Sequence, residues 1–352
     1  MSQPERLHPE PASLQTFDAL ATQAQGRWGL QQAARRLLAR RENAVYELRQ
    51  PEGERSVLRI HRHGYHTLEA LQSELQWMQA LNDAGVQTPA VIRTRDGELY
   101  AQVRCAHTGQ EHLCDLLGWV DGDALGRCED PQSLGSAQIL DTYRTVGQTA
   151  ARIHQFSSTW PLPQGFTRPS WDLDGCLGEQ HSLWGCWHDL AVLTPLEREV
   201  LGAGAARITT LLQAFGQAPD RYGLVHADLV PDNLIDDGRR IVVLDFDDSG
   251  FGWHLWELVT AVFWYLDTPH YAPALQGYLE GYRSVRDLPD EHLALLPAFL
   301  LLRSLVYMGW MHTRRGQPTA VQLTGHIRDT SLKLALDLLG DDAPVAAREQ
   351  VA

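Results

Sequence analysis

Apolar and polar positions change period several times along the chain. Residues 14–40 read as helical, ending in the basic stretch "ARRLLARR". Alternation takes over in "AVYELRQPEGERSVLRIHR", 44–62, on both sides of Pro51-Glu52-Gly53-Glu54, and predicts a hairpin. In 67–85, Leu68, Leu71, Leu75, Met78 and Leu81 recur at three- and four-residue steps. That spacing predicts a helix stopped at Gly85. "AVIRTRDGELYAQVRC", 90–105, predicts a second hairpin about Arg95-Asp96-Gly97, and "EHLCDLLGWV", 111–120, a further strand. The first part of the chain is thus strand-rich with one inserted helix.

Helical periodicity dominates from there on, in 137–156, 194–215, 254–266 and 291–338. Residues 157–193, rich in Pro, Gly and Trp, show no clear period. One short hairpin interrupts the helices: "NLIDDGRRIVVLDF", 233–246, turning at Asp236-Asp237-Gly238. The most apolar run, 293–311, is broken by Pro297 and Arg303 and reads as a buried helix, not a membrane span. The pattern predicts an α+β fold: a small mixed-sheet lobe, then a larger mainly helical lobe, with a junction near Trp119–Gly122.

Composition narrows the options. With 352 residues, 44% of them hydrophobic, the chain is long and apolar enough for a proper core, so wholesale disorder is excluded. A net charge of −14 argues against nucleic acid or an anionic membrane as partner and suits a cationic ligand or a bound metal. The five cysteines are odd in number, widely spread and without a CxxC pair, which points to a reducing, intracellular setting. The first residues lack a basic start followed by an apolar run, so no secretory signal is read and a cytoplasmic location is expected.

The chemistry concentrates at the short hairpin. Asp228 and Asn233, in "VHADLVPDNL", precede its first strand; Asp245, Asp247 and Asp248, in "VVLDFDDSGFG", follow its second. Antiparallel pairing returns the chain and brings Asn233 near Asp245. Carboxylates and an amide oxygen converging at one mouth form an oxygen-ligand set suited to Mg²⁺. Asp228, five residues before Asn233, can face the same cavity without ligating, and accept a hydrogen bond from a hydroxyl. Asx residues also favour turns, which accounts for Asp236 and Asp237.

"HADLVPDN" followed by "LDFDD" resembles the H-x-D-x-x-x-x-N and D-x-D pair of the aminoglycoside phosphotransferase and choline kinase-like superfamily, whose fold is like that of protein kinases. The resemblance spans about residues 40–315. It implies a nucleotide-binding lobe over 1–118, a hinge at 119–122 and a catalytic and substrate-binding lobe over 123–352. It also implies an ATP- and Mg²⁺-dependent phosphotransferase. On that likeness Asp228 is the catalytic base, Asn233 and Asp245 hold Mg²⁺ on the ATP phosphates, and Asp247 adds a metal or substrate contact. His226 braces the loop. "SVLRIHR" resembles the strand that supplies the phosphate-binding cation, here Arg59 where many members have Lys. Glu74 is its expected acidic partner, with Glu69 as fallback. "RENAVYEL", 41–48, stands for the nucleotide-covering loop without a Gly-rich fingerprint. "LLGWVDGDAL" looks like the hinge, with Trp119 and Val120 meeting the adenine. Ala227 stands where Gly is frequent. Glu257 stands where Asp is frequent and is read as steadying the catalytic loop.

The acceptor is less determined. The "DFDD" ending and the Arg59 strand look most like the homoserine-kinase-like and stress-response-kinase branch, which favours a small amine-bearing hydroxyl compound. A Ser/Thr protein kinase and an aminoglycoside-modifying enzyme are the alternatives. A non-catalytic nucleotide-binding regulator fits poorly, since Asp228, Asn233 and Asp245 are all present. Neither of two histidine groupings reads as a metal site. In "HRHGYH", with histidines at 61, 63 and 66, strand alternation puts His61 and His63 on one face without a third defined ligand, and "CLGEQHSLWGCWHDL", 176–190, matches no common zinc spacing. The second is read as a substrate-facing insert in which Trp171, Trp184, Trp187, Asp172 and Asp189 suit an amine through cation–π and charge contacts.

Overall fold

A computed structural model of the chain describes residues 14–40, 43–126 and 135–344. They divide into two compact units, one drawn from the described residues up to 121 with 163–167, the other from those of 122–162 and from 168 on.

The first unit holds α1 (Leu14–Trp28), β1 (Ala34–Arg40), β2 (Asn43–Arg49), β3 (Arg55–His61), α2 (Leu68–Asp83), β4 (Tyr100–Arg104) and β5 (Glu111–Gly118). The strands form one sheet in the order β1-β2-β3-β5-β4, and every pairing in it is antiparallel. Its core joins Leu20, Ala24 and Trp28 of α1 to Tyr46, Leu48, Leu58, Ile60, Val103 and Leu116 of the strands. Thr67 caps α2 by accepting the Ala70 N–H (3.2 Å).

Two sequence expectations change here. The helix read over 14–40 ends at Trp28, because Gly29 takes a left-handed conformation (φ 76°), and "ARRLLAR" is the edge strand β1. Every residue of β1 is exposed, so no alternation marks it. The hairpin read over 90–105 does not form as such. Thr94–Glu98 make a tight turn, but both flanks lie end to end along one edge of β5. Ile92 N–H donates to Leu116 C=O (2.8 Å), and Tyr100–Arg104 pairs with the earlier half of that strand. Of the segment 41–48 expected to cover the nucleotide, Asn43 onward lies in β2; Arg41 and Glu42 lie outside the described residues.

The second unit contains β6 (Asp123–Ala124), α3 (Ser136–Ser157), β7 (Ser170–Trp171), α4 (Leu173–Leu177), α5 (Pro195–Phe215), β8 (Tyr222–Val225), β9 (Leu234–Asp236), β10 (Ile241–Val243) and β11 (Gly250–Trp253). These are followed by α6 (His254–Val262), α7 (Tyr271–Arg283), α8 (Asp290–Leu293), α9 (Leu296–Thr313) and α10 (Pro318–Leu339). The short hairpin is present as β9 and β10. The apolar run 293–311 falls largely in α9, with Pro297 harmless in its first turn and Ala298–Gly309 and Met311 buried. No helix among the described residues is long and apolar enough to cross a membrane. Cys105, Cys114, Cys176 and Cys186 are free thiols, and Cys128 lies outside the described residues.

A second strand pair, unmarked by periodicity, closes the polar region from the other side. β8 runs antiparallel to β11, with Val225 opposite Gly250, while Leu234 stands opposite Val243 in the inner hairpin. Segments 226–233 and 244–249 are therefore clamped side by side at both ends. Gly250 is required at this joint: a Cβ there would lie 2.3 Å from the Pro169 carbonyl oxygen.

Two buried charged groups hold these segments. The Glu257 carboxylate accepts the N–H of His226 (2.6 Å) and of Ala227 (3.1 Å). The Arg168 guanidinium donates to the carbonyls of Phe246 (3.1 Å), Asp247 (2.7 Å) and Ser249 (2.7 Å). Ala227 (φ 67°) and Asp245 (φ 57°), one in each segment, sit in the left-handed region that side chains disfavour.

Ala227→Gly should therefore raise unfolding free energy, by about 1 kcal/mol, in a denaturant titration. Arg168→Met leaves three buried carbonyls without their charged donor, and the same titration should show a loss of at least about 3 kcal/mol.

Candidate active site

The two clamped segments place the acids. Leu244 N–H donates to Asn233 C=O (2.8 Å), one step beyond the last β9–β10 pair, so Asn233 and Asp245 are neighbours. The Asn233 side-chain N–H₂ donates to the backbone C=O of Asp228 (2.9 Å) and to its Oδ2 (3.0 Å). With its nitrogen so engaged, the Asn233 amide presents its oxygen for other contacts. Asp245 is exposed, Asp247 is buried, and Asp228 lies in a recess with its side chain 31% exposed.

His226 ties one segment to the other. Its Nδ1 accepts the Asp228 N–H (3.3 Å), so Nε2 carries the proton and donates to Leu244 C=O (2.8 Å). Its ring packs edge-on to Phe246. Glu257 beneath is fully buried, which raises its pKa.

Asp228 and Asp248 share one field. Burial, then the charge of Asp248, pushes Asp228 up to about 7. Burial, then the charges of Asp247 and Asp245, pushes Asp248 up to about 7. The Asp248 carboxylate accepts the Trp184 indole N–H (3.2 Å), and its backbone C=O that of Trp171 (2.8 Å).

Trp171 and Trp184 thus both reach this region, but Asp172, Trp187 and Asp189 do different work. Asp172 caps α4 by accepting the Gly175 N–H (2.9 Å). Trp187 is buried and stacks on His188, and Asp189 is exposed. Cys186 meets His188 (3.1 Å) and His181 meets Asp174 (3.1 Å). Among the described residues the insert forms no group of three metal ligands. Nor do the rings simply await an amine: the Arg303 guanidinium of α9 lies 4.9 Å from the centroids of Trp184 and Trp256 and 4.4 Å from that of Tyr307.

In the first unit, Arg59 is buried and doubly paired. Its Nη2 meets Glu74 Oε1 of α2 (2.7 Å), and its Nε meets both oxygens of Asp115 on β5 (2.9 and 3.2 Å). Asp115 also meets His61 Nε2 (2.6 Å). Burial alone would raise the Asp115 pKa, but the charge of Arg59 and the His61 contact outweigh it and hold the carboxyl below its ordinary value. His61 therefore belongs to a charge network rather than a metal site, while His63 is exposed and bonded to Glu111 C=O (2.8 Å). At the expected hinge, the Trp119 N–H donates to Arg55 C=O (3.3 Å) and its ring carries the Arg55 guanidinium at 4.4 Å.

Sequence reading missed Asp115, Arg168 and Arg303. Asp115 follows an apolar residue in a buried strand with no motif around it. Arg168 lies in the stretch without period. Arg303 was visible as a charge inside an apolar run, and that mismatch was the available signal.

The profile of the phosphotransferase enzyme family matches residues 33–292. A microcompartment-associated aminopropanol kinase of known structure is 35% identical, with a TM-score of 0.81, over 92% of this chain and 98% of its own. Amicoumacin kinase of Bacillus subtilis (strain 168) is 24% identical over 305 residues, 84% of each chain. A structure of choline/ethanolamine kinase family protein from Mesorhizobium loti shares the fold, with a TM-score of 0.59 at 16% identity over 96% of this chain and 98% of its own. With a sheet unit and a helical unit of the protein-kinase-like type, the chain belongs to the phosphotransferase enzyme family, and its activity is ATP-dependent transfer of a phosphoryl group to a hydroxyl.

Proposed function

We propose that the protein phosphorylates the hydroxyl of a small amine-bearing alcohol with Mg·ATP, in the cytoplasm, without a nucleic-acid or membrane partner. The observation that carries this is the convergence of Asp228, Asn233 and Asp245, paired across two clamped segments. Asp228 accepts the hydroxyl proton and aims the oxygen at the phosphorus. Asn233 and Asp245 would hold Mg²⁺ with Asp247 beside them; an amide oxygen and carboxylates are the hard donors such an ion takes. A divalent cation there supplies charge neutralisation at the phosphoryl oxygens.

Charge supports the amine. Burial first, and then the neighbouring acids, push Asp228 and Asp248 up to about 7, and Arg303 offsets this only in part, so the acids stay short of compensating positive charge. An ammonium group on the acceptor relieves that shortage at Asp248 while its hydroxyl meets Asp228. The similarity to an aminopropanol kinase at 35% identity points the same way. In the first unit, Arg59 with Glu74 supplies the cation for the ATP phosphates. The segment at Trp119 and Val120 receives the adenine; because the Trp119 N–H is engaged by Arg55, the donor there falls to Val120.

Three outcomes are expected in a coupled ADP-release assay. 1-Amino-2-propanol and related amino alcohols should accelerate ATP cleavage where neutral polyols of the same length do not; equal acceleration by both would remove the amine from the reading. Asp245→Ala should abolish turnover, whereas Asp228→Asn should cut kcat by roughly a thousandfold or more and leave ATP binding within a few-fold. Because Asp228 works as a base only when ionised, kcat/KM for the acceptor, which reports the free enzyme, should rise with pH through about 7 and level off above it.

A further inference from the structure

We propose that Arg303 is a positioning residue that fixes the carboxylate of Asp228 for the acceptor hydroxyl; this rests on the reading of Asp228 given above. The residue lies in the middle of α9 and is 0% exposed. Its Nη2 donates to the Tyr307 hydroxyl (3.0 Å) and lies 3.8 Å from Asp228 Oδ1. Its Nε and Nη1, also buried, have no hydrogen-bond partner. The guanidinium is instead enclosed by the rings of Trp184, Trp256 and Tyr307.

Stability does not account for a cation at this place. A buried guanidinium with two of its nitrogens unbonded is costly, and a well-packed apolar side chain of similar length fills such a volume at less cost. Cation–π contacts return part of that cost but not the missing hydrogen bonds.

Geometry supplies the reason. The two oxygens of Asp228 are held from different directions: Oδ2 by the Asn233 amide (3.0 Å) and Oδ1 by the Arg303 charge (3.8 Å). Two such anchors set the rotation of the carboxylate, which one would leave free. The anchor itself is immobile, because three aromatic rings and Tyr307 Oη set its plane. Trp184 extends the same assembly to Asp248, to whose carboxylate it donates. One buried cation therefore orders both acids of the recess. A base displaced by about 1 Å from its line of action loses on the order of a hundredfold in rate, so the arrangement has a measurable effect on kcat.

The test uses full-length protein carrying Arg303→Met or Arg303→Lys. ATP cleavage is followed with 1-amino-2-propanol as acceptor and with water alone. Arg303→Met should lower kcat about a hundredfold with KM for ATP within twofold of wild type, and Arg303→Lys should restore part of the loss. The melting temperature of Arg303→Met should equal or exceed that of wild type. Asp228→Asn should lower the melting temperature when Arg303 is present, by stripping its counter-charge, and not when residue 303 is Met. The proposal is overturned if Arg303→Met cleaves ATP as fast as wild type, fails to fold, or shows no such coupling to Asp228. Failure of 1-amino-2-propanol to accelerate the wild type would sink the acceptor reading instead; the water-only rates and the stability coupling would still decide the role of Arg303.

Discussion

Two antiparallel strand pairs closing on one polar region from opposite ends are the constraint on which the site depends. With Val225 held opposite Gly250 and Leu234 opposite Val243, segments 226–233 and 244–249 have no freedom to separate. Their backbone polar groups still need partners in a buried setting, and charged side chains supply them: Glu257 for the N–H groups of one, Arg168 for the carbonyls of the other. His226 then joins the two directly. A frame held this firmly can keep Ala227 and Asp245 in left-handed backbone conformations, at a cost of order 1–3 kcal/mol each.

The frame gathers negative charge, and what answers that charge shapes the chemistry. Asp228, Asp245, Asp247 and Asp248 belong to one short region, and Arg303 lies within ion-pair reach of Asp228. Substrate and metal cations complete the balance in the proposed reaction. The tryptophans take part differently from what their number suggests, since their faces enclose an arginine of the chain itself. In the proposed reaction, recognition of an amine rests on carboxylates rather than on an aromatic cage.

Arg59 follows the same logic in the first unit. A lysine can serve one carboxylate at a time as a point charge, whereas the planar guanidinium serves Glu74 and Asp115 along two directions at once. The departure from lysine is thereby matched by an acid on β5, and His61 completes the network behind it.

The sequence by itself determined what depends on local order. Helical period set α2, α3, α5 and α9, turn chemistry set the β2–β3 and β9–β10 hairpins, and the spacing of Asp228, Asn233 and Asp245 about the latter brought together the groups of the proposed site. Tertiary structure alone decided the strands whose pattern is silent. β1 is exposed on both faces, and β8 and β11 are short and glycine-bearing, so neither alternation nor propensity marks them. It also decided the pairing of Arg59 with Asp115, Arg168 with the 246–249 carbonyls, and Arg303 with Asp228. These partners lie 56 to 81 residues apart in the chain. A buried ion pair is specified by what surrounds both members once the chain has folded, and no short-range pattern records it.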